Sequence, residues 1–411
     1  MCGGAGLASK TRAVQAPRPL QSPTPPPPAR AHGPRELLAV RAFYFFTYGA
    51  LGTLFPFLPL LLETRGLSPE SISLVLVVVP IINLFVPPVW GLVADALQAR
   101  VALLRAAAVG SGLSCLALLP ARGVLASAGA LSLLSLFRAP LSSLADSIAW
   151  TPARPGRSGY SLVRVWGSIG FAVGAVAVGR LKARLGSDIV VFATSASYLL
   201  AAASTLPLRS RGDAHRKPVV RPTAEILKRP AVLAFLAACV AYYVAHGAYD
   251  AFFSLHLRRI GFDDSFIGTA WATGVVVEIG VMLISPWLLR RWSNSALLAA
   301  CSVVAVIRWL LLAQVRSAPA VLSAQTLHGI TFGLWYLALV DRVQQGAPEH
   351  LRTSLQSVTS AAMALGMVGG YLLGGATLSA QGASLMFLLA AGASAAAFVL
   401  YLAQARPNVY A

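Results

Sequence analysis

The sequence predicts an all-α polytopic membrane protein, with twelve transmembrane helices in two six-helix pseudo-repeats. Three observations predict it: the composition, the length of the apolar runs, and a pattern in the first half that returns in the second. Of the 411 residues, 57% are hydrophobic and 11% charged, against about 25% charged in soluble domains. The apolar residues gather in runs of roughly twenty, the length that crosses a hydrocarbon core about 30 Å thick. Lipid offers no partners to backbone N–H and C=O groups, so only helices or closed barrels span it. The runs are continuous rather than alternating, which selects helices.

Residues 1–34 are rich in Pro, Ala and Arg, with an unbroken run from Pro25 to Pro28. Such a stretch cannot build a core and reads as a disordered or polyproline-like cytoplasmic tail. The N-terminal bundle, residues 35–207, holds apolar runs at 38–62, 72–94, 101–120, 123–147, 162–181 and 189–207. A basic linker at 208–229 follows. The C-terminal bundle, residues 230–411, holds runs at 230–257, 266–288, 296–314, 319–341, 354–378 and 384–404. No cleavable signal peptide is visible, so the first run is expected to be a true span. Cys2, Cys115, Cys239 and Cys301 are not at metal or redox spacing. The last three fall inside apolar runs and read as small hydrophobes.

The net charge is +19, which in a soluble protein would suggest nucleic acid. Here the basic residues sit between apolar runs, where they orient the chain and meet anionic lipid heads. With the N-terminus inside, the inner segments hold 20 Lys and Arg and the outer loops and their edges eight. That bias predicts a protein of the cell (inner) membrane with both termini cytoplasmic.

The two halves repeat. Tyr44 to Ala50, followed by Arg65-Gly66-Leu67-Ser68-Pro69, is matched by Tyr242 to Ala248, followed by Ile260-Gly261-Phe262-Asp263-Asp264. Each first helix should lead through a Gly turn and a Ser or Asp N-cap into the second. Gly167, Gly170 and Gly174 in the fifth helix correspond to Gly366, Gly370 and Gly374 in the eleventh. Glycines at this spacing let helices approach closely. Parallel six-helix repeats are a transporter signature, with the solute site between them near mid-membrane.

A charge at the centre of a spanning helix costs roughly 2.5–3.5 kcal/mol on insertion scales, so each one needs a reason. Arg138, Asp146, Arg164, Asp250, Glu278 and Arg308 lie inside or at the lip of runs, with His246 and His328 as titratable companions. Glu278 stands about 18 Å into the eighth helix at 1.5 Å per residue, close to mid-membrane. It reads either as a proton carrier, because a buried carboxylate without a cation favours its protonated form, or as the fixed partner of Arg308. Arg308 stays charged and must find an anion in Glu278, Asp250 or a solute. His328, near mid-depth in the tenth helix, reads as a core histidine or as a second proton-handling group. His246 and Asp250, four apart on one face of the seventh helix, are placed to line the outer part of a cavity. Trp166 and Trp271 are placed to stack on a sugar or aromatic ring. Asp95, at the inner end of the second helix, reads with Arg100 as a latch on the inner side.

The stretch Gly91…Asp95…Arg100 resembles the loop signature of the major facilitator superfamily, with Ala96 and Gln98 departing from it. A second resemblance is carried by Arg164-Val165-Trp166-Gly167-Ser168. It is similar to the motif of the branch that contains 3-phenylpropionate permease and, more distantly, lactose permease and nucleoside–proton symporters. Gly274 to Glu278, Val306 to Trp309 and Gln325 to Gly329 extend the resemblance over about residues 38–404. It implies a solute-binding carboxylate and arginine at Asp146 and Arg164, and a second arginine and a histidine at Arg308 and His328. It implies a charged aspartate at Asp250. The glutamate that bears the proton one turn after the histidine is Thr331 here, and the lysine partner of Asp250 is absent.

These readings converge on a proton-coupled symporter for an aromatic acid, a sugar or a nucleoside, working by alternating access. Its solute residues are Asp146, Arg164, Trp166, His246, Asp250, Trp271, Arg308 and His328. Glu278, His328 and Arg308 handle the proton. The rivals are a proton-driven exporter on the same fold and a non-transporting membrane sensor. Metal spacing, a nucleophile elbow and a phosphate-binding loop are all missing from the sequence, so no enzyme, cofactor or metal is expected. The expected partners are a solute, protons and the lipid bilayer, with no nucleic acid, and the chain is expected to work as a monomer.

Overall fold

The computed structural model describes residues 33–149, 158–208, 228–347 and 351–404, together with Gly3. The Pro-rich tail up to residue 32, nearly all of the 208–229 linker and the side chain of Asp95 lie outside the described residues. The inner latch expected of Asp95 and Arg100 falls there.

Among the described residues, twelve helical rods make up the bundle. In the first half α1 is Pro34–Leu54 continued by Leu58–Thr64, and α2 is Pro69–Leu76 continued by Val78–Leu97. Next come α3 (Arg100–Cys115), α4 (Gly123–Arg138 continued by Leu141–Ala149), α5 (Ser158–Leu185) and α6 (Ile189–Ser204). In the second half α7 is Pro230–Arg259, α8 Asp264–Arg291 and α9 Asn294–Gln314. The last three are α10, built from Ala318–Thr326 and Trp335–Gly346, α11 (Arg352–Ala380) and α12 (Ala383–Ala403). Ten of the rods are long and apolar enough to cross a membrane. The other two are α6, which is shorter, and α10, which a π-helical turn at Gly329–Leu334 interrupts.

The turns into α2 and α8 are built alike. Gly66 and Gly261 sit at φ +83° and +98°, which only glycine adopts without strain. Ser68 Oγ then accepts from Ser71 N at 3.3 Å, and Asp263 Oδ1 from Phe266 N at 2.8 Å. These caps satisfy the first turns of α2 and α8.

Glycine also fixes which helices pair. A Cβ added at Gly170 or Gly52 would overlap the carbonyl of Phe45 or Phe171, so α1 and α5 touch backbone to backbone. A Cβ at Gly370 or Gly366 would overlap the carbonyl of Val244 or Val240, so α7 and α11 do the same. The repeat seen in the sequence is therefore a repeat of helix crossings.

The halves meet most closely at the end away from the start of α1 and the end of α12. There Gly179 of α5 faces the Asp264 backbone, Gly268 of α8 faces that of Ala175, and Gly375 of α11 packs on Pro69 and Ser73 of α2. Lys182 of α5, 6% exposed, donates to both carboxylate oxygens of Asp264 at 3.0 and 3.1 Å. Arg258 also pairs with Asp264, and Arg259 lies 3.8 Å from Glu63 of α1. The sequence reading passed over Lys182 because it stands at the edge of a span.

Gly170→Ala should lower stability by about 1–3 kcal/mol through overpacking. Gly280→Ala, with nothing within 4 Å of its added Cβ, should change it by about 0.5 kcal/mol or less. Thermal unfolding in detergent checks both, and equal effects would contradict the crossing. Asp264→Leu strands buried Lys182, so the closed end should loosen. With Cys2 replaced by Ser, a cysteine placed at Ser73, 2% exposed, should then react with maleimide faster with Asp264→Leu than without it; Cys115, Cys239 and Cys301 are buried.

Candidate functional site

Three adjoining cavities occupy the seam between the halves. One of about 250 Å³ is lined by Tyr48 and Arg164 from the first half and by Asp250, Trp271, Glu278 and His328 from the second. The next, of about 200 Å³, shares Leu51, Phe55 and Asp250 with it and reaches Asn83 and Arg138. The third, of about 410 Å³, runs along Pro87, Pro88, Gln356 and Ser360. With the far end closed, the seam opens toward the end that holds the start of α1 and the end of α12.

Glu278 and His328 are seated by glycines. Gly274 of α8 lies against the His328 side chain, and Gly329 and Gly333 of the π-helical turn lie against Glu278. The close fit puts His328 Nε2 4.0 Å from Glu278 Oε2. That is too far for a hydrogen bond and near enough for a water or a small shift to complete one. Glu278 and His328 are nearly buried, at 8% and 7% exposure. The His328 ring stacks on Phe332, centroids 5.3 Å apart.

The expected Glu278–Arg308 pair is not formed. Arg308 is fully buried and turned into the second half. It donates to Thr331 Oγ1 at 3.0 Å and to Gln325 Oε1 at 2.7 Å. Its guanidinium lies 4.3 Å from the Tyr249 ring centroid and 4.8 Å from that of Trp309. Neutral acceptors and two aromatic faces hold this cation. Tyr249 separates it from the cavity, its ring 5.2 Å from Trp271 and 6.1 Å from His328. Arg308 is therefore not on the cavity wall where the sequence reading put it. Thr331, which stands where the resemblance led one to expect a glutamate, is an acceptor for Arg308.

His246 is a second departure. It shares a helix with Asp250 but does not line the cavities. Its ring stacks on Tyr242 at 4.6 Å and meets Trp309 edge-on at 5.1 Å. The aromatic packing of α7 against α9 draws it into the core, while Asp250 faces the seam.

Arg164 lies over the Tyr48 ring at 4.3 Å. Tyr48 stacks on Tyr44, centroids 6.1 Å apart, and Tyr44 Oη donates to Asp146. Asp146 does not line the cavity and is linked to its wall through Tyr44 and Tyr48. Trp166 is 40% exposed and also outside the lining. Trp271 does line it, with Nε1 donating to Ser254 Oγ at 2.9 Å and its edge toward Phe55 of the other half, centroids 5.2 Å apart. Sequence reasoning gave no site role to Tyr48, Tyr249 or Gln325. Only Gln325, an amide in mid-span three residues before His328, gave a signal that could have found it.

Comparison with known proteins agrees with this architecture. The chain is 28% identical over 347 residues to maltose permease of Geobacillus stearothermophilus, covering 80% of this chain and 86% of that one. It is 29% identical over 329 residues to the "Probable 3-phenylpropionic acid transporter" of Escherichia coli (strain K12), covering 77% and 84%. The fold superposes on the crystal structure of a mutant of nucleoside transporter NupG with TM-score 0.80, at 16% identity and over 90% and 100% of the two chains. These relatives are transporters. The sequence profile of the MFS_1 like family matches residues 37–389, and the chain belongs to that family: it is a multi-pass membrane transporter of small solutes with the major facilitator fold.

Proposed function

We propose that the transporter couples proton movement to the passage of a small polar or aromatic organic solute through the seam. The observation that carries this is the placement of Glu278 beside His328 on the cavity wall. Among the described residues, His328 is the only basic side chain within 4.0 Å of the Glu278 carboxylate. Its charge is thus free to be neutralised by a proton without breaking a fixed ion pair. The solute contacts Arg164 from one half and Asp250, Trp271 and His328 from the other. Asp146 supports the site through Tyr44 and Tyr48, and Arg308 through Tyr249. Trp166 and His246 have no direct part in this arrangement.

Binding of proton and solute biases rocking of the halves between the observed opening and one at the far end, where the Lys182–Asp264 contact must part. A proton entering down 100 mV gains about 2.3 kcal/mol, and a pH unit adds roughly 1.4. One proton per solute then supports accumulation of about a few hundredfold. The protein acts as a monomer in the cell membrane, with its termini and the open end of the seam on the cytoplasmic side, as the distribution of basic residues supports. Export by the same machinery is the second reading; 3-phenylpropionate and maltose, named for the two relatives, are natural probes for uptake.

In proteoliposomes, Glu278→Gln should abolish solute accumulation driven by a pH gradient while keeping counterflow. Accumulation equal to wild type would remove Glu278 from the coupling step. Gln325→Leu takes an acceptor from buried Arg308 and should cost roughly 3 kcal/mol of stability. Glu278→Gln strands no partner and should change stability by about 1 kcal/mol or less. Thermal unfolding of the two variants in detergent separates the structural charge from the functional one.

A further inference from the structure

The cavity between α1, α2, α4, α7 and α11 is walled by aliphatic side chains, among them Leu54, Leu58, Val79, Leu131 and Leu134. Arg138 enters it from the first half and Asp250 from the second. Arg138 donates one hydrogen bond, to neutral Asn83 Oδ1 at 3.3 Å, and has no carboxylate within ion-pair distance among the described residues. Asp250 makes no hydrogen bond or ion pair among those residues. A guanidinium remains charged in proteins and presents five donors, so Arg138 has donors left for an anionic group. Asp250, an acceptor, calls for a donor or a cation.

We infer that this chamber binds the apolar zwitterion class of solute, a carboxylate and an ammonium group carried on a hydrocarbon frame, as in a free aliphatic or aromatic amino acid. The carboxylate lies on Arg138, the ammonium on Asp250, and the side chain against the leucines. A simple organic anion would answer Arg138 and leave Asp250 facing like charge. An amine would do the reverse. A sugar or nucleoside would find partners for some hydroxyls in Arg138, Asp250, Asn83 and Tyr371 and would set the rest against aliphatic walls. The chamber is small, below the roughly 300–1,000 Å³ of pockets for drug-sized ligands, which suits a single amino acid. This inference rests on the transport reading for its biological meaning, and on Arg138 and Asp250 alone for its chemistry.

Three probes share one frame and differ only in charge: free phenylalanine, 3-phenylpropionate, which lacks the ammonium, and 2-phenylethylamine, which lacks the carboxylate. Their dissociation constants are measured on the purified full-length chain in detergent without a proton gradient, so that a failure of coupling leaves the readout untouched. Free leucine is measured beside them. Phenylalanine or leucine should bind at least about tenfold more tightly than either singly charged probe, because each charge-assisted pair is lost separately. Arg138→Gln should weaken phenylalanine and leave phenylethylamine as tight or tighter; Asp250→Asn should weaken phenylalanine and leave 3-phenylpropionate as tight or tighter, because a like charge is removed. A merely structural role would weaken all probes alike. Arg138→Lys and Asp250→Glu keep the charges and should retain the preference for the zwitterion, which guards against loss of fold in the neutral variants. The inference is overturned if 3-phenylpropionate binds as tightly as phenylalanine, or if neither amino acid binds at millimolar concentration.

Discussion

The seam depends on how closely helices can approach in a solvent that does not push them together. Lipid tails are as apolar as leucine, so helix pairs in a membrane hold by van der Waals contact, and small residues make that contact possible. The paired crossings α1–α5 and α7–α11 are glycine on carbonyl in both halves. They bring Tyr48 under Arg164 on one side and leave Asp250 facing the seam on the other. The same device recurs at finer scale where Gly274, Gly329 and Gly333 seat His328 and Glu278 against each other. Precision at the site comes from backbone contact, which side-chain rotation cannot loosen.

The charges inside the bundle divide by what answers them. Arg308 is held by an amide, a hydroxyl and two aromatic faces inside one half, so it moves as part of that half. Lys182 and Asp264 answer each other across the halves, so their contact exists only while that end is shut. Glu278 and Asp250 lie on the cavity walls. Apart from His328, 4.0 Å from Glu278, neither has a cation at ion-pair distance among the described residues. A buried pair resists change because removing one partner strands the other. A carboxylate without such a partner can take up or release a proton at small structural expense. Arg308 and Lys182 are thus fixed by direct contacts, while Glu278 and Asp250 face the cavities.

The sequence showed the class of fold fully, since run length and the demand for backbone pairing act locally along the chain. The Gly66 and Gly261 turns were legible for the same reason, because a positive φ and an N-cap are properties of a few adjacent residues. The site was only partly legible. Glu278, His328, Arg164, Asp250 and Trp271 do gather at the seam; depth in the helix pointed to Glu278 and His328, and the family resemblance to Arg164 and Asp250. The partner of Arg308 could not be read, because depth gives a height in the membrane and not the side of the helix. Gln325 and Thr331 satisfy that arginine from within α10, and Tyr249 screens it from the seam. Asp146 and His246 were misplaced for a related reason: each shares a helical face or motif with a cavity residue, and a tyrosine or tryptophan stack draws it away.

The irregular turn in α10 bears on how such a transporter changes over time. A π-helical turn holds one residue more than an α-helical turn needs, and each residue turns a helix by about 100°. The segments before and after Gly329–Leu334 are thus set in different rotational frames. Losing the extra residue would restore a regular helix and swing His328 relative to Trp335 and Tyr336 without altering a side chain. A single-codon deletion or insertion at this turn can therefore re-aim one wall of the pocket. The length of α10 is thus a variable of the pocket wall in its own right, beside the identity of the residues along it.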